Sequence, residues 1–326
     1  MNPAPEARLF RRGWRWPELA FWLACLAGYV VFPSHLLLLG QIFITGLFAL
    51  SLDLIVGFAG IVSLGHAAFF GLGAYTAGLL SLHGWSEPLS GLVAGGVAAA
   101  LLGFASAQLV VRVDGIAVLM ITLGINELLY QAANRAISVT GGDDGLQGVT
   151  VSPLLGIFPF DFAGHVGFFY SLAVLFVLFA LARRLVRSPF GLALAGIRQN
   201  PQRMLSLGTP VRRHLMMVYT LSAAMAGIAG ALVAQTSQFV GLDSISFDLS
   251  AEVLVMLILG GVGWLYGGII GAAIYLTAHD RLADLNPQYW LFWLGTLLVV
   301  IVLVTVDGRL ARLSRRLVAK FARSAP

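Results

Sequence analysis

The sequence has a single cysteine, a single lysine and few charged residues of either sign. Cys25 alone excludes an internal disulfide. The lysine, Lys320, is followed by Phe321, so the chain has no Gly-Lys-Ser/Thr phosphate-binding loop and cannot bind ATP in that way. Six scattered histidines and one cysteine form no metal-binding pattern, and no Gly-x-Ser-x-Gly motif marks a nucleophile. We therefore expect no metal, no cofactor and no catalytic centre in this chain.

Charge is scarce because the chain is largely apolar. Charged residues make up 11% of the sequence and hydrophobic residues 59%, whereas soluble domains carry about 25% charged residues. Apolar runs of roughly 20 residues, long enough to cross the hydrocarbon of a bilayer as helices, recur from end to end. A segment such as LLGFASAQLVV does not alternate as the strand of a membrane barrel does. The sequence predicts an all-α polytopic membrane protein.

The basic residues predict which side of the membrane each segment faces. Residues 1–16, 183–213 and 309–326 hold 17 of the 20 basic residues, and they lie beside apolar runs. This pattern is typical of cytoplasmic membrane-protein loops and gives no reason to expect nucleic acid as a partner. We therefore expect a cytoplasmic N-terminal arm at 1–16, a transmembrane domain at 17–306 with a cytoplasmic loop at 183–213, and a basic cytoplasmic tail at 307–326.

This orientation requires one apolar segment to be interrupted. Three spans would otherwise separate the 183–213 loop from the tail, an odd number for two segments on the same side. The conflict falls on 251–279, which contains GGVGWLYGG and can turn there if its backbone packs against protein. Two short crossings there give about ten crossings in all, and a re-entrant hairpin is the alternative. The candidate spans are 17–33, 36–56, 59–81, 88–111, 115–137, 165–182, 214–239, 251–279 and 287–306.

On the other side of the membrane, the longest polar stretch is TGGDDGLQGV at 140–149. Asp143 and Asp144 stand there among four glycines. Such a loop is either a solvated turn or a contact surface for a partner outside the membrane. The residues themselves leave both interpretations open.

Polar residues inside the predicted spans are candidates for a translocation pathway, because such groups need partners in hydrocarbon and often mark pathways. The segment 57–78 is so rich in glycine and alanine that other helices must press against it, or it lines a path as a broken helix. The alternatives are packing alone and, for Glu127, a protonated carboxyl bonded to a neighbouring helix. Asp53 is explained by snorkelling or helix capping. The pathway candidates are Ser63, His66, Tyr75, Asn126 and Glu127.

The arginine-rich loop contains SPFGLALAGIRQNPQRMLSLG at 188–208. Ser188 is a suitable N-cap with Pro189 at the first helical position, and a short amphipathic helix follows. A cytoplasmic position of the loop is enough to explain its arginines, so these residues alone do not indicate a partner. A short helix bearing small residues also fits a groove on a cytoplasmic protein, so the segment is a candidate docking element.

Four segments, in this order, resemble the permeases of bacterial branched-chain amino acid ABC importers, specifically the LivM type. They are GFAGIVSLGHAAFFGLGAYTAGLL, TGGDDGLQGV, SPFGLALAGIRQNPQRMLSLG and LILGGVGWLYGGIIGAA, and the resemblance runs from about residue 40 to 305. It implies an all-α polytopic protein of the bacterial inner membrane, with about ten transmembrane helices and a cytoplasmic coupling helix. It also implies a heterodimer with a second permease subunit, two cytoplasmic ATPases that bind ATP, and a periplasmic substrate-binding protein.

The resemblance gives two loops a role. It implies that 189–208 is the coupling region that contacts an ATPase, and that Asp143 and Asp144 lie where the loaded binding protein docks. It supplies no residue for a substrate pocket. The coupling residues expected on this basis are Pro189, Gly191, Gly196, Arg198, Arg203 and Gly208.

Three other functions compete with this one. Relatives that import urea or short amides share the same motifs. A self-contained secondary transporter usually needs ion-coupling carboxylates in the membrane, and Glu127 is the sole deep candidate. A membrane enzyme is disfavoured by the lack of a nucleophile or metal pattern. Neighbouring genes for two ATPases, a second permease and a secreted binding protein would decide the class.

Overall fold

The computed structural model describes residues 16–285, except 155, 162 and 163, and six further positions up to 299. The predicted tail at 307–326 and all of the arm at 1–16 except Trp16 lie outside the described residues, as does most of the predicted span 287–306. Twelve helices form in the described part: α1 Trp16–Val31, α2 Leu36–Asp53, α3 Ala67–Leu82, α4 Pro88–Val110, α5 Ile116–Arg135, α6 Ile137–Thr140, α7 His165–Val186, α8 Pro189–Gln199, α9 Pro201–Ser206, α10 Val211–Ser237, α11 Phe247–Gly260 and α12 Gly267–Leu285.

The predicted all-α polytopic membrane fold is confirmed. The described residues contain no strand beyond isolated bridges such as Leu146 with Val240. Proline at the first helical position starts α4, α8 and α9, as its fixed φ favours. The number of crossings stays a prediction. Within the part of the chain that the structure describes, five stretches are long and apolar enough to cross a membrane: Pro33–Ala59, Pro88–Val110, Ile116–Arg135, His165–Val186 and Val211–Ser237.

Helix α7 defines the two ends of the bundle. Its 22 residues make it about 33 Å long. The segment 138–164 precedes it and the segment 187–210 follows it, so these segments lie at opposite ends. We call the end that carries α8 and α9 the arginine-rich end, and the other end the acidic-loop end. Residues up to Ala272 form one compact unit, and a second unit begins at Ala273 within α12. All the site residues below belong to the first unit.

Helix α10 is the central element, and α2, α3 and α4 pack against it. A Cβ added to Gly73 would meet the backbone of Gly227, and one added to Gly230 would meet the backbone of Phe70. Since no side chain fits at these positions, close backbone approach accounts for the glycine-rich segment of α3, as expected where helices associate without a hydrophobic drive.

Helix α3 begins inside the bundle, because the backbone between α2 and α3 is not regular α-helix. Helix α2 continues directly into a π-helical turn, Leu54–Ala59, and Gly60 follows with a φ of +78°. A non-helical stretch then leads to Ala67, the first residue of α3, which is fully buried. Such backbone is tolerated at membrane depth only where protein surrounds it.

Helix α11 also begins inside the bundle. After α10 ends, Val240 pairs with Leu146 at the acidic-loop end, and a 3-10 turn, Leu242–Ile245, leads inward to α11. The N–H of Ala67 donates to Ser250 Oγ at 2.9 Å, so the starts of α3 and α11 lie together in the interior. Two interrupted helices thus meet within the first unit.

The segment 251–279 forms no single long helix. It is divided between α11 and α12, and the turn between them, 261–266, coincides with the glycine-rich interruption that the sequence indicates. A Cβ on Gly271 would meet the backbone of Met256, and one on Gly260 would meet the backbone of Gly267. The end of α11 and the first residues of α12, up to Gly271, therefore pack closely, and the turn between them lies at the arginine-rich end.

Candidate functional site

His66 is the centre of a buried polar cluster formed by α2, α10 and the stretch before α3. Its side chain is fully buried, and Nε2 lies 2.9 Å from Ser51 Oγ and 3.5 Å from Ser222 Oγ. Ser51 Oγ already donates its only proton to the carbonyl oxygen of Phe48 at 2.7 Å. It must therefore accept from the imidazole, which assigns the proton of His66 to Nε2.

This tautomer leaves Nδ1 of His66 as a bare acceptor. Nδ1 is buried and has no hydrogen-bond partner among the described residues. The ring stacks on Phe48, with centroids 5.5 Å apart and planes 10° apart. Ser222 Oγ donates to the backbone carbonyl of Ser51, which ties α10 to α2. Packing and hydrogen bonding on the Nε2 side fix the ring and leave Nδ1 as an unsatisfied acceptor inside the bundle.

The other predicted polar residues of the 57–78 segment differ in their environment. Ser63 is fully buried, accepts from the N–H of Gly65 at 3.3 Å and also forms a side-chain hydrogen bond with Tyr219, so its hydroxyl is satisfied within the bundle. Tyr75 is nearly fully buried, and its hydroxyl has no partner in the described part of the chain. An unpaired buried hydroxyl is costly, which makes Tyr75 a better candidate for a ligand contact than Ser63.

Helix α5 holds both interrupted segments through two side chains. Asn126 Nδ2 donates to the carbonyl oxygen of Ile245 at 2.8 Å, just before α11. Thr122 Oγ1 accepts from the N–H of Leu64 at 3.2 Å, just before α3. Asn126 Oδ1 is buried without a partner among the described residues. The structure therefore places Asn126 beside the helix breaks. Sequence analysis missed Thr122, Ser51 and Ser222, because isolated hydroxyl residues are common in membrane helices.

Glu127 lies on the open face of α5. Its Oε1 accepts from Nε2 of Gln131, one turn along the same helix, at 2.7 Å. Among the described residues, the partner of this carboxyl thus lies on its own helix and not on a neighbouring one. Of the five long apolar helices, α5 is the least buried. Its open face carries the polar side chains of Glu127 and Gln131, and exposure of such side chains to lipid hydrocarbon costs free energy.

Asp53 and Arg198 both contact the π turn Leu54–Ala59 and the 261–266 turn, at the arginine-rich end. Asp53 is fully buried, and its Oδ1 accepts from the N–H of Gly263 at 2.7 Å, so snorkelling does not explain it. Arg198, near the end of α8, donates from Nη1 to the carbonyl oxygen of Gly57 in the π turn. A Cβ on Gly57 would meet both Asp53 and the backbone of Gly263. Helices α2 and α8 and the 261–266 turn are thus joined at one point.

The predicted coupling segment folds as two short helices. Pro189 starts α8, and Asn200 caps α9 by accepting from the N–H of Arg203 at 2.9 Å. A Cβ on Gly191 would meet the backbone of Val186, and one on Gly196 would meet the Met204 side chain. The small size of both glycines therefore serves packing within this chain.

Other parts of this segment are open to a partner. Arg203 is exposed, and Gly208 ends the segment with a φ of +81°. Leu205 and Leu207 are 52% and 71% exposed. Sequence analysis missed these two leucines, although apolar residues in a loop otherwise rich in polar residues are a signal for a contact surface.

At the acidic-loop end, Asp143 and Asp144 lie in the 3-10 turn Gly142–Asp144, and both are exposed. Glycines with positive φ flank them, and the following Leu146 pairs with Val240, which anchors the loop beside the irregular segment before α11. The carboxylates thus project from a held turn. No cluster of potential metal ligands occurs among the described residues.

A family model described as branched-chain amino acid transport system / permease component matches residues 34–302. The high-affinity branched-chain amino acid transport system permease protein LivM of Escherichia coli (strain K12) is 32% identical over 287 residues, covering 80% of this chain and 66% of that protein. The chain thus spans just under two thirds of the length of this relative.

Permeases for other compounds are also similar. The autoinducer 2 import system permease protein LsrC of Enterobacter sp. (strain 638) is 31% identical over 313 residues, covering 90% of this chain and 87% of that protein. The fructose import permease protein FrcC of Rhizobium meliloti is 25% identical over 280 residues, covering 82% and 76%. No solved structure matches the chain.

Proposed function

The chain belongs to the family of branched-chain amino acid transport system permease components, and from that membership we propose that it is a permease subunit of an ATP-driven ABC importer. In this proposal it forms part of the path for branched-chain or other hydrophobic amino acids across the bacterial inner membrane. ATP is bound and hydrolysed by two cytoplasmic partner subunits, in keeping with the missing phosphate-binding loop. The arginine-rich end faces the cytoplasm, and the acidic-loop end faces the periplasm.

The open face of α5 is the observation that carries the proposal. Glu127 and Gln131 bond to each other there, and no residue that the structure describes covers them. A carboxylate at the centre of a bilayer costs about 2.5–3.5 kcal/mol on a translocon scale. A second permease subunit seated against α5 removes this cost and encloses a polar path between the two chains. Since Asn126 lies beside the same face, the path passes next to the two helix breaks.

Helix α5 also gives the path a means of opening and closing. Thr122 holds the stretch before α3, and Asn126 holds the segment before α11. A shift of α5 relative to the bundle therefore moves both irregular segments together. The unpaired atoms Asn126 Oδ1 and Tyr75 Oη are then the polar groups that a passing ammonium or carboxylate group meets.

Coupling to the ATPases is assigned to α8 and α9. The exposed Leu205, Leu207 and Arg203 form the surface that docks, and Pro189, Gly191, Gly196 and Gly208 shape the two helices that carry it. Arg198 connects this surface to the π turn at the end of α2 through Gly57. Movement of an ATPase is thereby passed to α2, which carries Ser51, the hydrogen-bond partner of His66. At the other end, Asp143 and Asp144 receive the loaded binding protein.

The transported compound is tested by uptake into membrane vesicles that contain this chain, a second permease, the two ATPases and the binding protein. Labelled leucine uptake is expected to fall when unlabelled isoleucine or valine is added, and to be unaffected by urea or fructose. Uptake of labelled urea that leucine does not inhibit would instead make the chain a permease for short amides.

The path along α5 has its own test in the same vesicles. Glu127→Trp is expected to stop uptake, because the side chain fills the space between the permeases. Leu101→Trp is the matched control, since Leu101 is 67% exposed on α4, away from that face. Equal uptake by both variants would show that the transport path does not follow α5.

A further inference from the structure

A long apolar groove opens on the side of the bundle formed by α4, α7 and α10, near the arginine-rich end. It measures about 1080 Å³. Its walls come from Phe104 of α4, Leu185 of α7 and the first three turns of α10. Its rim is formed by Phe190, Leu205, Arg212 and Arg213. This groove lies within the depth of the spans and is open at the surface.

The walls of the groove offer almost no polar atom. Thr220 is the one hydroxyl there, and it already donates to the carbonyl oxygen of Met216 at 2.9 Å. Met217 and Leu221 are 49% and 43% exposed along the groove. Methionine side chains adapt to an irregular apolar partner. From Arg213 to Leu221 the helix rises about 12 Å, so the walls reach well into the hydrocarbon.

Two guanidinium groups stand at the mouth of this groove. Arg212 and Arg213 are exposed in the first turn of α10, and neither forms a salt bridge with any residue that the structure describes. The segment 183–213 contains no acidic residue that could neutralise them. The positive end of the α10 dipole lies at the same place. Beside the mouth, His214 stacks on Phe190 with ring centroids 5.2 Å apart, which holds that aromatic wall in position.

We propose that this groove is a binding site for an anionic phospholipid of the same leaflet, with an acyl chain against α4 and α10 and the phosphate at Arg212 and Arg213. An acyl chain fits walls that lack free donors and acceptors, and guanidinium groups bind phosphate through paired hydrogen bonds. Basic pockets between membrane helices on the cytoplasmic side commonly bind such head groups. A cytoplasmic protein would reach only the rim, because the walls continue into the bilayer.

The site is distinct from the proposed transport path. The path follows the open face of α5, whereas the groove lies between α4 and α7 with α10 as its floor. A lipid there touches both the start of α10, the central helix, and Leu205 at the proposed ATPase surface. The proposal therefore places an anionic lipid where the helix bundle adjoins the coupling helices α8 and α9.

Binding of fluorescent phosphatidylglycerol to the purified chain in mild detergent tests the site, with phosphatidylcholine and glycerol 3-phosphate as comparison ligands. The wild type is expected to prefer phosphatidylglycerol, and glycerol 3-phosphate is expected not to displace it. Removing both charges, Arg212→Gln with Arg213→Gln, is expected to weaken binding about twenty-five-fold, which is about fivefold for each arginine. The charge-matched control is Arg112→Gln with Arg184→Gln, since both residues are exposed outside the groove.

A second variant fills the groove without changing charge. Met217→Trp is expected to weaken phosphatidylglycerol binding at least fivefold, whereas Val97→Trp, on an exposed part of α4 outside the groove, leaves it unchanged. Thermal melting of each purified variant checks that it is folded. Equal binding of the two lipids by the wild type, displacement by glycerol 3-phosphate, or normal lipid binding by the double arginine variant would each overturn the proposal. The last result together with loss of ATPase binding would make the arginines a protein-docking surface.

Discussion

Nη1 of Arg198 donates a hydrogen bond to the backbone carbonyl oxygen of Gly57, a residue 141 positions earlier in the chain. Gly57 lies in the π turn that ends α2, and π turns recur at functional sites because they free backbone groups from the helix. On its other side, Gly57 lies against Gly263, whose N–H is held by the buried carboxylate of Asp53. A single exposed side chain thus connects the surface helix α8 to two irregular parts of the bundle.

Removing this link is expected to separate ATP hydrolysis from transport. In Arg198→Gln the shorter, neutral side chain no longer reaches Gly57, so leucine uptake should fall at least tenfold while the ATPases still co-purify. Hydrolysis by the assembled complex should continue without stimulation by the loaded binding protein. Arg112→Gln, an exposed arginine at the same end, is the control and should transport normally. Normal stimulation and uptake by Arg198→Gln would show that the bond serves only local stability.

The exposed leucines of the coupling segment predict a docking defect of a different kind. Leu207→Glu places a charge in an apolar contact, and loss of a well-packed contact costs about 2 kcal/mol or more. The variant should insert and bind the second permease normally but lose the ATPases during purification. Ile157→Glu changes an equally exposed apolar residue at the acidic-loop end and should keep them. ATPase retention by Leu207→Glu would place the docking surface elsewhere.

Close backbone contact predicts which glycines cannot be replaced. Gly230→Ala puts a methyl group against the backbone of Phe70, which cannot move aside. Overpacking of this kind costs typically about 1–3 kcal/mol, so the variant should melt several degrees lower. Gly124→Ala is the matched control, because a Cβ there meets nothing within 4 Å. Thermal unfolding followed by fluorescence makes the comparison, and equal melting temperatures would mean that the α3–α10 contact is looser than described.

Sidedness is tested by labelling single cysteines in intact cells. With Cys25→Ala as background, a cysteine at Asp144 should react with an impermeant thiol reagent, and one at Gln199 should not. Both positions are exposed, so access to the reagent decides the outcome. Reaction at position 199 without reaction at 144 would reverse the proposed orientation.

Composition and hydrophobic runs predicted most of the fold. The ends of α4, α5 and α7 fall within a few residues of the predicted spans, because long apolar segments with proline or glycine at their borders specify helices locally. The interruption at 260–268 also followed from its glycines. The inward start of α11 did not, since it depends on Asn126 and Ala67, which bond to Ile245 and Ser250 across more than a hundred residues.

The candidate site was predictable only in part. His66 and Asn126 stood out as polar residues in apolar runs, and both are buried beside the helix breaks. Ser51, which bonds to His66, and Thr122, which bonds to the N–H of Leu64, did not stand out, because each is an ordinary hydroxyl residue of a membrane helix until distant segments pack against it. Gly196 was expected to let its helix enter a groove on an ATPase, and the sequence did not show that this glycine also packs against Met204 eight residues later. Such contacts are tertiary, and no local pattern specifies them.

The central claim is that this chain moves amino acids only as one part of an ATP-driven assembly, and reconstitution tests it most directly. Proteoliposomes containing the chain alone should take up no labelled leucine above protein-free liposomes. Adding the second permease, the two ATPases and the loaded binding protein should give uptake that needs ATP and stops when ATP is replaced by a non-hydrolysable analogue. Leucine uptake by the chain alone, driven by an ion gradient and indifferent to ATP, would contradict the account and make the protein a self-contained transporter.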